Sequence, residues 1–166
     1  SLTFPETIND VKEFNKTIIN NKYRHDVFYK WQRKRMNILI KNNKPEFNKW
    51  SFDNENRKPY DKSYKEPKIL YFDNKYIDNA KKYIEKNFFN NFGSFEYFNY
   101  PTTHQEAKQL VKHFIKYKLN TFGKYQDAVS TNYIYGSHSC LSSSLNIGLI
   151  NVEYIVDKIM KYYNKH

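Results

Sequence analysis

The chain has little of what builds disulfide, metal or membrane proteins. A single cysteine, Cys140, excludes an internal disulfide framework and any closed cysteine-based zinc or iron-sulfur site within these 166 residues. The five histidines, at 25, 104, 113, 138 and 166, show no ligand spacing such as H-E-x-x-H, so a metal held by this segment alone is not expected. No apolar run approaches the length that spans a bilayer and no signal-peptide pattern is present. No membrane partner is therefore expected, and the cytoplasm is the expected location. Alanine occurs only three times, whereas 16 Tyr and 13 Phe raise the aromatic share to 19%, so the core must be built from large rings. Disorder is not expected on that ground.

Charge is the first feature present in excess. The formal net charge of +11 suits a nucleic-acid partner, because clustered Lys and Arg neutralise phosphates and release counterions. Lys, Asn, Tyr and Ile, however, make up 75 of the 166 residues, a bias that an AT-rich genome produces whatever the function. The chain starts at Ser1 rather than Met, and Tyr154 to His166 still read as helix. A segment of a longer polypeptide is the expectation.

In chain order, Ser1 to Pro5 read as an extended lead-in. Asn9 or Asp10 then caps a helix with Val11, Phe14 and Ile18 on one face, ending near Asn20-Asn21. A second helix, about Arg24 to Leu39, places Val27, Phe28, Trp31, Arg35, Ile38 and Leu39 on a stripe and Lys30, Arg33 and Lys34 on its other faces. The basic run KWQRKR is either a phosphate-facing surface or a solvated helix face. Arg35, on the apolar stripe, needs a carboxylate partner if buried. From Ile40 to Pro67 the periodicity disappears into a long, proline-marked connection. Within it Trp50, Phe52, Asp53, Glu55, Asn56 and Arg57 form an aromatic and charged set suited to pinning the loop to a domain surface. A third helix, about Asp73 to Asn87, carries Tyr76, Ile77, Ala80, Tyr83, Ile84 and Phe88 on one stripe. After the turn-rich NNFGSFEYFNYP, Thr103 and Glu106 make a capping box for a helix from Thr103 to Leu119, with Ala107, Leu110, Val111, Phe114, Ile115 and Leu119 on one face and His113 off it, exposed. Asn151 caps a final helix carrying Val152, Ile155, Val156, Ile159, Met160 and Tyr163. The expected fold is mainly α-helical, with strands confined to short pieces near the start and in the loop.

Between the last two helices lies TFGKYQDAVSTNYIYGSHSCLSSSLNIG, residues 121–148, with three of the four glycines and the densest run of hydroxyls: Ser137, Ser139, Ser142, Ser143 and Ser144. Tyr125, Asp127, Tyr133 and Tyr135 bring rings and polar groups close to them, and Gly136 permits a turn just before. Serine hydroxyls and free N–H groups at a helix start suit a phosphate or pyrophosphate; the same pattern also serves as an ordinary helix cap.

Four runs in order, FYKWQRKRMNILI, KWSFDNENRKP, YPTTHQEAKQLVKHFIKYKLNTFGKYQDAV and HSCLSSSLNIGLI, resemble the deoxyribodipyrimidine photolyase-related proteins, the iron-sulfur bacterial cryptochrome and photolyase family. The resemblance runs from about Phe28 to Ile159, with W-x-F-D-x-E-N-R-K and F-G-x-Y-x-D-A its most specific motifs. It implies a light-driven, FAD-dependent enzyme repairing pyrimidine lesions, (6-4) photoproducts among them, in UV-damaged DNA and acting as a monomer. Residues 1–39 would end an α/β antenna domain, 40–101 would form an interdomain linker region, and 102–166 would open an all-helical FAD-binding domain. In that family a tyrosine and a T-S-x-L-S run line the flavin phosphates and ribityl chain. The matching positions are Tyr125, His138, Ser139, Leu141 and Ser142, with His138 in place of the first threonine and Ser143 in place of the proline that often follows. The resemblance also implies a lumazine-type antenna and a [4Fe-4S] cluster whose ligands, like the catalytic histidine and lesion cavity, would lie beyond His166. Two other readings stay open: a cryptochrome-type photoreceptor without repair, and a basic helical module binding nucleic acid through Lys22 to Lys41.

Overall fold

The computed structural model describes residues 8–16, 18, 24–96 and 98–166, with only the backbone of residues 8–10. It is mainly helical: among the described residues there are seven α-helices and one two-stranded sheet. They fall into two compact units, one ending at Asp53 and one running from Asn54 to His166. The expected lead-in at Ser1 to Pro5 and the helix end near Asn20-Asn21 lie outside the described residues.

In the first unit α1 spans Ile8–Asn15 and α2 spans His25–Arg35. Because α1 already begins at Ile8, Asn9 and Asp10 lie inside its first turn rather than capping it, and Ile18 lies beyond its end. Phe14 is buried where its ring meets Phe28 edge-on at 4.9 Å and Trp31 at 5.4 Å. Such ring pairs add about 0.5–1.5 kcal/mol beyond the area they bury. Helix α2 stops four residues before the expected Leu39. Its apolar spacing continues in the sequence, but the backbone turns through left-handed conformations at Asn37 (φ 52°) and Leu39 (φ 51°). The strand expectation for the loop holds: β1 (Ile40–Lys41) pairs antiparallel with β2 (Lys44–Pro45). Asn42 and Asn43 join them at φ 50° and 62°, the double left-handed geometry that a tight two-residue hairpin requires and asparagine tolerates.

The second unit begins irregularly and reaches α3, Lys75–Phe88, whose N-terminus is capped by Asn74 accepting from Tyr76 N at 2.9 Å and Ile77 N at 3.3 Å. Of the stripe expected on α3 only Ile77 is buried; Tyr76, Tyr83, Ile84 and Phe88 are exposed. The capping box forms as expected at α4, His104–Tyr117: Glu106 N donates to Thr103 Oγ1 at 3.2 Å and Thr103 N to Glu106 Oε2 at 3.1 Å. The Asn74 amide also donates to Glu106 Oε1 at 2.7 Å, so the two helix starts share one set of polar groups.

Helix α4 ends at Tyr117 rather than Leu119. Lys118 breaks it, at φ −120° and ψ −25°, and α5 follows over Leu119–Tyr125. The short α6 covers Ser142–Asn146, and α7 covers Val152–Tyr163, with Asn151 Oδ1 accepting from Tyr154 N at 2.8 Å as its cap. Ala107, Val111 and Phe114 of α4 close the core against Leu141, Ile150 and Ile155. Each large apolar side chain so buried contributes about 1.5–3 kcal/mol. His113, expected to be exposed, is half-buried and its Nε2 lies 2.8 Å from Lys68 O, which ties the irregular segment to α4. Among the described residues no helix is long and apolar enough to cross a membrane.

Candidate functional site

The segment between α5 and α6 carries almost no repeating structure, so its backbone groups must find partners elsewhere. A second loop, Tyr60 to Glu66, supplies them. Glu66 accepts from three successive N–H groups: Ile134 at 3.2 Å, and Tyr135 and Gly136 at 2.6 Å each. Ser137 N donates to Tyr60 Oη at 3.2 Å. Gly136 has φ 49°, and any Cβ there would run into the Tyr60 hydroxyl, so glycine is required twice over. Below this contact the rings of Tyr60, Tyr64, Tyr125 and Tyr133 pack with centroids 4.5 to 5.5 Å apart. The buried Ser137 hydroxyl bonds Thr121 Oγ1 at 2.8 Å and Tyr64 Oη at 3.1 Å. Burial pushes the Tyr64 phenol above its ordinary value, against the lowering effect of its hydrogen bond with the Ser137 hydroxyl.

The braced loop forms one wall of a cleft of about 670 Å³, lined among others by Gln126, Asp127, Tyr135, His138, Ser139 and Ser142. Three of the five expected site residues, His138, Ser139 and Ser142, therefore meet there. The other two face elsewhere. Tyr125 is 2% exposed, stacked on Tyr60 at 4.5 Å with its hydroxyl donating to Asp61 Oδ2 at 2.7 Å. Leu141 is a core residue packed with Val111 and Phe114. The His138 ring is fixed by Nε2 lying 3.2 Å from Ala128 O. Asp127, also on the cleft, accepts from Asn56 Nδ2 at 3.1 Å and from Arg57 Nε at 3.5 Å, so part of the expected pinning set does hold its loop against this site.

Two features bear on what the cleft can hold. Among the described residues no lysine or arginine side chain lines it, and α6 is only five residues long, so its dipole is small. Among the described residues the hydroxyl of Ser143, which lines the cleft, is buried and has no hydrogen-bond partner, as is the case for Ser144 Oγ and Asn56 Oδ1. A buried orphan hydroxyl costs about 1–3 kcal/mol, which a ligand acceptor would remove.

Sequence reasoning missed Glu66, Tyr60 and Lys118. Lys118 was legible in principle, because it falls seven residues after Val111 and four after Phe114, on the apolar stripe. Glu66 carries no local signal. The basic stretch of α2 also reads differently in three dimensions. Arg33, expected on an outer face, is buried, and Arg35, expected on the apolar stripe, is exposed and paired with Glu13 at 2.7 Å.

The family model for deoxyribodipyrimidine photo-lyase-related proteins matches residues 2–100, which ends upstream of the cleft residues of α5, α6 and the loop between them. The chain is also 32% identical over 127 residues to a (6-4) photolyase from Agrobacterium fabrum, an alignment that covers 76% of this chain and 25% of that protein. The chain thus spans about a quarter of the length of the curated relative it matches. With more than half of its residues matched in this way, the chain belongs to the deoxyribodipyrimidine photo-lyase-related family.

Proposed function

We propose that this chain is part of a light-driven, FAD-dependent DNA photolyase, with UV-damaged DNA as its partner and the (6-4) photoproduct, named in its relative, as the lesion. In this reading residues 1–39 end an antenna domain, 40–101 form the linker region and 102–166 open the flavin domain. The observation that carries the reading is the serine-edged cleft with its orphan Ser143 hydroxyl, in a chain of this family. The donor set fits a cofactor with phosphate and ribityl oxygens. Ser139, Ser142 and Ser143 offer hydroxyls at the cleft, and His138 is held in place by the Ala128 carbonyl. Tyr125 and Leu141 act from behind, as rigid packing that keeps the loop in register. Bound FAD would supply the photochemistry; the protein's part is binding, orientation and exclusion of water.

The test uses the full-length protein. Purified FAD content and blue-light repair of a (6-4) photoproduct duplex should both be present. Ser139→Ala combined with Ser142→Ala should lower FAD content about tenfold, two lost charge-assisted hydrogen bonds at about 1 kcal/mol each being enough. Flavin retained without repair would make the protein a photoreceptor, and absence of flavin would remove the reading altogether. The isolated 166-residue chain, with one wall of the site, should retain FAD weakly or not at all.

A further inference from the structure

Lys118 is the one lysine or arginine buried in the second unit among the described residues, at 7% exposure. Its Nζ donates to His138 O at 3.2 Å and lies 5.7 Å from the centroid of the Tyr135 ring. An ammonium has three donors, and one is used. Among the described residues no carboxylate lies within ion-pair distance of it. The charged and titratable groups that face it do not neutralise it. Glu66 attracts it from the 60–66 loop but is committed to the N–H groups of Ile134, Tyr135 and Gly136. Burial pushes the Cys140 thiol up, so it stays protonated at neutral pH, while His113 and Tyr135 add no negative charge there. Burying an uncompensated cation is unfavourable unless an anion completes the site.

Lys118 lines a cavity of about 30 Å³ that shares Tyr100, Tyr135, Ser139 and Cys140 with the larger cleft. Among the described residues the cleft is lined by hydroxyls and by no lysine or arginine, whereas Lys118 lines the adjoining cavity together with Ser139 and reaches the carbonyl of the cleft residue His138. We propose that Lys118 is the charge-selecting residue of this cleft, the counter-charge for a phosphate or pyrophosphate group bound beside Ser139. The proposal rests on reading the cleft as a nucleotide-cofactor site. It makes Lys118 a specificity determinant that favours a phosphorylated flavin over an unphosphorylated one, a discrimination the serines alone cannot make because hydroxyls serve neutral and anionic oxygens alike.

The test compares FAD and riboflavin affinities of the full-length apoprotein with those of its Lys118→Met variant, both checked for folding by circular dichroism. FAD binding should weaken about tenfold or more while riboflavin binding stays within about twofold, so that the preference for phosphate collapses. Equal losses for both ligands, or no loss of FAD, overturn the proposal. If the wild-type apoprotein binds neither flavin, the flavin reading fails, and inorganic pyrophosphate then probes Lys118 on its own. The titration of the Lys118 ammonium, followed by carbon NMR at Cε, should move to higher pH when pyrophosphate is added. An unmoved titration overturns the proposal, and this measurement needs no variant to fold.

Discussion

Arg33 in the first unit and Lys118 in the second are both buried cations that form no ion pair among the described residues, and the protein treats them in opposite ways. Arg33 is saturated. Its Nε donates to Ile38 O at 3.2 Å, one terminal nitrogen to Trp50 O at 3.0 Å and the other to Leu39 O at 3.0 Å, while its guanidinium carbon lies 5.5 Å from the centroid of the Tyr29 ring and 5.3 Å from that of Trp50. A planar fork with five donors can satisfy several carbonyls at once, and here it gathers the ends of a strained hairpin. Lys118 has one carbonyl and an unfilled donor shell. The difference separates a charge used to build structure from a charge kept available.

The largest effect should come from emptying the saturated site. Arg33→Met removes the arginine donor from the part-buried Ile38 and Trp50 carbonyls, while Leu39 O keeps Glu46 N at 2.9 Å, and it should cost the first unit about 3–5 kcal/mol, read as a lower denaturant midpoint. A loss under about 1 kcal/mol would break the comparison, because Arg33 would then be no better anchored than a surface residue. Next in size is Glu66→Gln, which keeps the shape but replaces a carboxylate facing three N–H groups by an amide. It should cost the second unit about 1–3 kcal/mol and blur the loop bearing Ser139, seen as faster hydrogen exchange at residues 134–137.

The smallest effect on stability is expected at Lys118. Replacing an unsaturated buried ammonium by methionine should leave stability within about 1 kcal/mol of the parent, in either direction. Its pH signature is more telling. Burial pulls the folded-state value below the ordinary lysine value of 10.5. Between the two values the unfolded chain carries the proton and the folded chain does not, so this residue makes stability rise with pH in that window. Below the window its burial cost is present in full. Lys118→Met should remove that alkaline rise, as measured by denaturant titrations across the window; a rise of the same size in the variant assigns it to another group.

How much of this could be read from the residues depends on how far each partner lies along the chain. Caps at Thr103 with Glu106 and at Asn151 involve neighbours three or four residues apart, and they form as the spacing implies. The α4 and α7 stripes are likewise local patterns, and both reach the core. The inversion of Arg33 and Arg35 was not legible, because the carbonyls that draw Arg33 inward, those of Ile38, Leu39 and Trp50, flank a hairpin whose left-handed turns no periodicity announces. The serine run was legible as a group, but which members face the cleft was not. That choice is made by Glu66 and Tyr60, about seventy residues upstream in sequence, which fix the twist of the loop before it reaches Ser139.

The same division of aromatic residues gives each unit its own optical label. Both tryptophans, Trp31 and Trp50, belong to the unit ending at Asp53, whereas the packed rings of Tyr60, Tyr64, Tyr125 and Tyr133 belong to the other. Indole emission therefore reports melting of the hairpin and its arginine latch, and near-ultraviolet dichroism of the phenol cluster reports melting of the wall that carries Ser139. One sample followed at both signals distinguishes a protein that unfolds in a single step from one that comes apart in two.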